Sequence, residues 1–234
     1  MRNSDNFLAA FNRIEQFLNN GNTSGVYRPF TQLVRDQTER NVTVKRNKDQ
    51  LAKFSNLRNA IVHQSTKGTY AIAEPHDSIV EEIEKVEQEL TNPPKVITQF
   101  QKKVEIFKHN NSIADVLKII RDRDYTQFPV YKEEEFIGLL TENGITKWLA
   151  RNIEEDIISL EETNLIDILE FEEEVDNYIF IGKEMNVYEA EEIFKDFPHT
   201  RERLDALLIT HSGKKTQSLL GIITTWDILQ FYKT

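Results

Sequence analysis

The 234-residue chain carries 29 Lys and Arg against 39 Asp and Glu, a formal net charge of −10, and is 39% hydrophobic with 14 Phe. That much apolar material can bury cores, which excludes the disordered class, and the absence of cysteine excludes disulfides, thiolate zinc sites and a cysteine nucleophile. The eight Gly form no phosphate-loop run, no apolar stretch approaches the ~20 residues of a membrane span, and the N-terminus MRNSDNFLAAF is not a signal peptide; a soluble cytoplasmic protein is expected.

The first 92 residues predict four helices. In 5–19, Phe7, Ala10, Phe11, Ile14, Phe17 and Leu18 follow the 3.6-residue period and Gly21 stops the run. Pro29 opens a second helix carrying Phe30, Leu33 and Val34. A third, over 45–63, places Leu51, Phe54, Leu57 and Ile61 on one face. The fourth carries Ile79, Ile83, Val86 and Leu90, opens on a capping box of Ser78 and Glu81, and ends at Pro93-Pro94. Four such helices predict a small bundle over 1–94. This part is charged differently from the rest: residues 1–72 hold eleven Lys and Arg against five acids, whereas 93–234 hold 17 against 27. A basic first part can attract phosphates, although ordinary solvated surface accounts for the same numbers.

After Pro94 short strand-like runs alternate with helices. Strands are expected at 104–107, 128–131 and 136–140, with helices at 112–121 and 143–150; the stretch 122–125 reads as a helix-end turn. The same order returns, with strands at 178–181, 206–210 and 219–223 and helices at 187–194 and 225–231. Gly138-Leu-Leu-Thr141-Glu-Asn-Gly-Ile lies over Gly221-Ile-Ile-Thr224-Thr-Trp-Asp-Ile at an offset of 83, and the earlier helices align at an offset of 74. The extra residues fall in loops around 198–204 and 212–218, where insertions are tolerated. The acidic stretch 154–174 joins the copies as a solvated connector with one amphipathic piece at 165–169, and Glu172-Glu-Glu174 reads as a solvated run. The expected organisation is an α+β chain in two parts: a helical bundle over 1–94, then a repeated unit at 95–153 and 177–234 joined by an acidic connector at 154–176.

The β-α-β-β-α unit closing in Gly-h-h-Thr-x-x-Asp-h resembles the CBS (cystathionine β-synthase) domain family over about residues 100–232. The resemblance implies a tandem pair packed as one pseudo-twofold disc that binds an adenine nucleotide (AMP, ADP, ATP or a relative) in a cleft between the copies. It gives Asp227 the ribose hydroxyls and Thr224 a phosphate contact. The same two residues also fit a plain helix start, with Thr224 as N-cap and Asp227 as a first-turn acid. The first copy keeps Thr141, but Gly144 stands where the acid belongs and Glu142 adds a charge; one working cleft, near Asp227, is expected. Phe180 either lines an adenine pocket or belongs to the core.

Near the end of the third predicted helix stands Leu57-Arg58-Asn59-Ala-Ile-Val-His63. With its helical setting this resembles the HEPN family (higher eukaryotes and prokaryotes nucleotide-binding), whose ribonuclease members carry Arg-x4–6-His. The resemblance implies metal-independent RNA cleavage. His63 would be general acid or base, Arg58 would neutralise the phosphorane, and Asn59, four residues before His63, would orient the imidazole. Arg58 lies ~140° round the helix from His63, so a two-fold homodimer would bring two sets together. Alternatively Leu57 and Ile61 are core, His63 suits a helix C-terminus, and the bundle only dimerises or contacts RNA or another partner. His76, His109, His199 and His211 have no partner at metal-ligand spacing, so no metal is expected. Two functional readings follow: a nucleotide-sensing protein whose helical part cleaves RNA, or a non-enzymatic nucleotide-binding regulator.

Overall fold

The computed structural model describes residues 2–20, 27–63, 74–123, 125–153, 158–172, 176–197 and 203–233. The chain divides into two compact units, Met1–Pro94 and Lys95–Thr234.

The first unit is helical: α1 Asn3–Asn19, α2 Phe30–Thr38, α3 Val42–Arg46, α4 Lys48–His63 and α5 Asp77–Thr91. The periodic apolar residues form its core, with Phe7 edge-on to Phe54 at 5.9 Å and Phe11 against Phe30 at 4.4 Å between ring centres. Arg13 grips the Glu87 carboxylate with two nitrogens at 2.6 and 2.7 Å, tying α1 to α5. Five helices, not four, stand among the described residues, because the third expected helix is two. Asn41 caps α3 by accepting from the Val44 N–H. Buried Asn47 then interrupts the chain, its amide donating to the Thr43 carbonyl at 3.1 Å and to Glu89 at 3.0 Å. The capping box expected at Ser78 is also replaced. The N-cap is His76, whose Nδ1 accepts from the Ser78 N–H, so the helix starts two residues earlier. Gly21 lies outside the described residues.

The second unit contains α6 Val96–Phe100, β1 Phe107–Lys108, α7 Ile113–Arg123, β2 Gln127–Lys132, β3 Glu135–Thr141 and α8 Glu142–Arg151. It continues with α9 Leu165–Leu169, β4 Tyr178–Gly182, α10 Val187–Asp196, β5 Ala206–Thr210, β6 Gly221–Ile223 and α11 Thr225–Phe231. Two three-stranded sheets result, β1-β2-β3 and β4-β5-β6. In each, the first pair is parallel and the second antiparallel, so the sequence repeat is a repeat of topology. The first strand is shorter than expected: only Phe107 and Lys108 pair, opposite Val130 and Tyr131.

Two short helices interlock the copies. Helix α6 opens the first copy, yet Val96, Ile97 and Phe100 pack with Ile181, Val187, Leu207 and Ile223 of the second. Helix α9 precedes the second copy, yet Leu165 and Ile168 are fully buried in the core of the first. The connector is therefore not simply solvated: its amphipathic piece is a core element. Glycine permits the α6 crossing, since a Cβ on Gly221 would stand 2.5 Å from the Phe100 carbonyl oxygen. A further cluster joins the sheets through Phe136 and Leu139 from β3, Ala206 and Leu208 from β5, and Ile222 from β6. Every residue of β5 is buried, which is why it reads as a continuous apolar run.

Candidate functional site

The passage from β6 into α11 sets the geometry of the site. Thr224 is the N-cap in extended conformation, and its hydroxyl accepts from the Asp227 N–H at 3.3 Å. In return Asp227 Oδ2 accepts from the Thr224 N–H at 2.8 Å and from its hydroxyl at 2.7 Å. The plain helix start is thus present, but it engages only one carboxylate oxygen. The other, Oδ1, faces Lys102 Nζ at 3.5 Å.

Asp227 and Lys102 line a groove of 470 Å³ within the second unit. The segment leading to β1 contributes Lys102, Lys103 and Glu105; the end of α7 and the approach to β2 contribute Arg123, Tyr125 and Thr126. Thr224 and Trp226 complete the opposite wall. Arg123 is paired with Glu105 at 2.5 Å. Trp226 is 62% and Tyr125 37% exposed beside three cations and two carboxylates, and Lys233 Nζ stands 5.2 Å from the centre of the Trp226 ring. Of these residues the sequence motif singles out only Thr224 and Asp227. Lys102-Lys103 is a basic pair in an acidic half, and Trp226 stands inside the Thr-x-x-Asp motif itself; both signals were in the text. Tyr125 and Arg123 stand in the stretch 122–125, whose sequence reads as a helix-end turn.

The first copy is built differently. Thr141 caps α8, accepting from the Gly144 N–H at 3.2 Å. Its partner carboxylate comes from Glu172: Oε1 accepts from the Thr141 N–H at 2.6 Å and Oε2 from the Thr141 hydroxyl at 2.9 Å. Glu172 is therefore not part of a solvated run, while Glu173 and Glu174 lie outside the described residues. Burial pushes its carboxyl up to about 7, against the two Thr141 hydrogen bonds and Arg203, with Asp205 adding repulsion. Phe180 does not line the Asp227 groove. It packs edge-on to Phe136 at 5.1 Å and Tyr178 at 5.7 Å in the cluster that joins the sheets.

In the first unit, Arg58 and Asn59 lie together on α4, where Arg58 Nη1 donates to Asn59 Oδ1 at 3.3 Å. They line a groove of 220 Å³ with Glu15, Tyr27 and Ser55. His63 is the last residue of α4, and its side chain lies outside the described part of the structure. Among the described residues no cluster of three or more His, Asp or Glu is placed to hold a metal, and no helix is long and apolar enough to cross a membrane.

A family profile described as the CBS domain matches residues 97–151 and 173–234, together half of the chain. Solved structures similar to this chain include the CBS domain pair of protein MJ0100 in complex with 5′-methylthioadenosine and S-adenosyl-L-methionine. It is 19% identical, covers 60% of this chain and 97% of that one, and has a TM-score of 0.43. A hemolysin-like protein containing a CBS domain from Oenococcus oeni PSU is 18% identical over 59% of this chain and 90% of its own, with a TM-score of 0.42. The CBS domain protein TA0289 of Thermoplasma acidophilum is 14% identical over 58% of this chain and 68% of its own, with a TM-score of 0.43. No curated protein matches the chain.

Proposed function

The chain belongs to the CBS domain family, and from that premise we propose that its second unit is a regulatory module sensing an adenine nucleotide in the groove beside Asp227. The observation that carries this reading is the convergence of the motif carboxylate Asp227, three cations and two exposed aromatic rings on a single groove, where Glu105 pairs with Arg123. Asp227 Oδ1 is not used in capping and can accept from ribose hydroxyls. Lys102, Lys103 and Arg123 suit phosphate oxygens, which would replace the internal carboxylate partners of Lys102 and Arg123. Trp226 or Tyr125 offers a face for the base, a contact worth about 1–3 kcal/mol per stacked base. The test is intrinsic fluorescence. The chain has two Trp, and Trp148 is buried whereas Trp226 is not. AMP should quench the exposed component, and Trp226→Phe should remove the response. No change with AMP, or an undiminished change in Trp226→Phe, would overturn the reading.

A second activity is proposed for the first unit, from the Arg58-Asn59-x-x-x-His63 pattern and the open groove at Arg58 and Asn59. It is HEPN-like, metal-independent RNA cleavage in a homodimer, the 2′-hydroxyl serving as nucleophile. Purified protein should cleave single-stranded RNA in EDTA and leave a 2′,3′-cyclic phosphate; Arg58→Ala and His63→Ala should each abolish this. Full activity in either variant would overturn the assignment to Arg58 and His63; no cleavage by the wild type assigns the first unit instead to dimerisation or partner binding, leaving a non-enzymatic nucleotide-sensing regulator.

A further inference from the structure

The two copies solve one problem with carboxylates from different addresses. In the second, the N–H and hydroxyl of Thr224 are held by Asp227, three residues along the same motif. In the first, the N–H and hydroxyl of Thr141 are held by Glu172, which lies outside the motif and 31 residues away. The position matching Asp227 is Gly144, and its lack of a side chain is what admits Glu172. A Cβ built on Gly144 would stand 2.0 Å from Glu172 Oε1 and 2.6 Å from its carboxyl carbon, so the Glu172 side chain would have to swing away and give up its hydrogen bonds to Thr141. An acid at 144 and Glu172 in its observed place exclude each other.

The surroundings of Thr141 are closed in the same way. At the offset of 74 that aligns the earlier helices, the counterpart of groove residue Lys103 is Asn177. Asn177 is buried, and its amide lies 3.4 Å from Glu172 Oε2, 3.1 Å from Asp205 Oδ2 and 3.3 Å from the Leu139 carbonyl oxygen. Arg203 is held by Asp205 at 2.6 Å. The groove at Asp227 holds Lys102, Lys103 and Arg123 against Asp227 and Glu105, an excess of one cation among the described residues, whereas the environment of Thr141 gathers Glu172 and Asp205 around Asn177 with Arg203, itself paired to Asp205, in opposition. A nucleotide phosphate is attracted to the first and repelled by the second.

We propose that Glu172 is a built-in occupant of the first copy's cleft, replacing the missing motif acid as the partner of Thr141 and closing that cleft to nucleotide. The inference rests on the reading of the Asp227 groove as a nucleotide site, and it makes the asymmetry of the pair an internal contact rather than a mere loss.

The test is calorimetric titration of AMP into the full chain and into the variant combining Gly144→Asp with Glu172→Ala, its fold checked by thermal melting. The wild type should take one AMP per chain, weakened at least tenfold by Asp227→Ala. The paired variant should take a second AMP that survives Asp227→Ala. Two equal sites in the wild type, or one site in a folded paired variant, would overturn the proposal. Amide hydrogen exchange gives a readout that needs no nucleotide: Glu172→Ala alone should speed exchange at the Thr141 amide at least tenfold and leave Thr224 unchanged. Unchanged protection at Thr141 would overturn the proposal. A wild type that binds no AMP, with Thr141 protection lost on Glu172→Ala, would instead refute the nucleotide reading and leave the Glu172 contact standing.

Discussion

Thr141 and Thr224 begin their helices alike, yet the carboxylates that hold them differ in how they titrate. Burial is the largest influence on Glu172 and disfavours its charged form, with Asp205 adding to that and Thr141 and Arg203 opposing it. The folded chain therefore keeps a proton on Glu172 between the ordinary 4.5 and about 7 that the unfolded chain has already released. The contribution is fully present below pH 4.5 and is lost as pH rises to about 7, so stability should fall across this window. Urea titrations at pH 5 and pH 8 check it: Glu172→Gln, which removes the charge, should flatten this slope and melt higher than wild type at pH 8. An unchanged slope in the variant would contradict the assignment. Thr224 and Asp227 were legible in the sequence because their contact is local and falls inside one motif. Glu172 was not, because its partner lies 31 residues back along the chain and a run of three acids looks solvated when read alone.

The exchange of α6 and α9 between the copies is the feature the sequence showed least. The amphipathic piece at 165–169 was legible, but helices of five residues carry too little pattern to announce which core they enter. The longer helices were legible for the opposite reason, and so was the order of strands, whose apolar runs are bounded by Gly and polar loops. The split of α3 from α4 escaped because Asn47 is helix-tolerant by composition and breaks the run only through its contacts with Thr43 and Glu89. If α9 is core, Ile168→Ala should destabilise the second unit by about 2–5 kcal/mol, the usual cost of truncating a buried aliphatic. A change at an exposed connector residue such as Glu161 should stay within about 0.5 kcal/mol. Gly221→Ala should cost about 1–3 kcal/mol, because the added Cβ meets backbone at Phe100 and cannot be accommodated by a rotamer change. Denaturant melts of the three variants measure these differences.

At the scale of the whole molecule, each core cluster among the described residues draws on one unit: one cluster from Met1–Pro94 and three from Lys95–Thr234. Residues 95–234 produced alone should therefore unfold cooperatively and bind AMP within about threefold of the full chain; failure to fold would show that the second unit depends on the first. Regulation requires more than two folded units, since a nucleotide shifts an equilibrium only by its difference in affinity for two states. A coupling of about 1–3 kcal/mol would change RNA affinity by roughly 5–150-fold, and RNA would have to change AMP affinity by the same factor. Identical AMP titrations with and without RNA, in His63→Ala protein, would mean that the units share a chain without communicating.

The central claim is that the groove beside Asp227 is the nucleotide site, and AMP calorimetry on the wild type and Asp227→Asn tests it most directly. Asparagine keeps the size of the side chain and removes the charge that would hold the ribose hydroxyls. The account predicts one AMP per chain and an affinity weakened about 10- to 150-fold in the variant, the worth of hydrogen bonds to a charged group at about 1.5–3 kcal/mol. Equal affinity in the two proteins, or no binding of AMP to either, would contradict it.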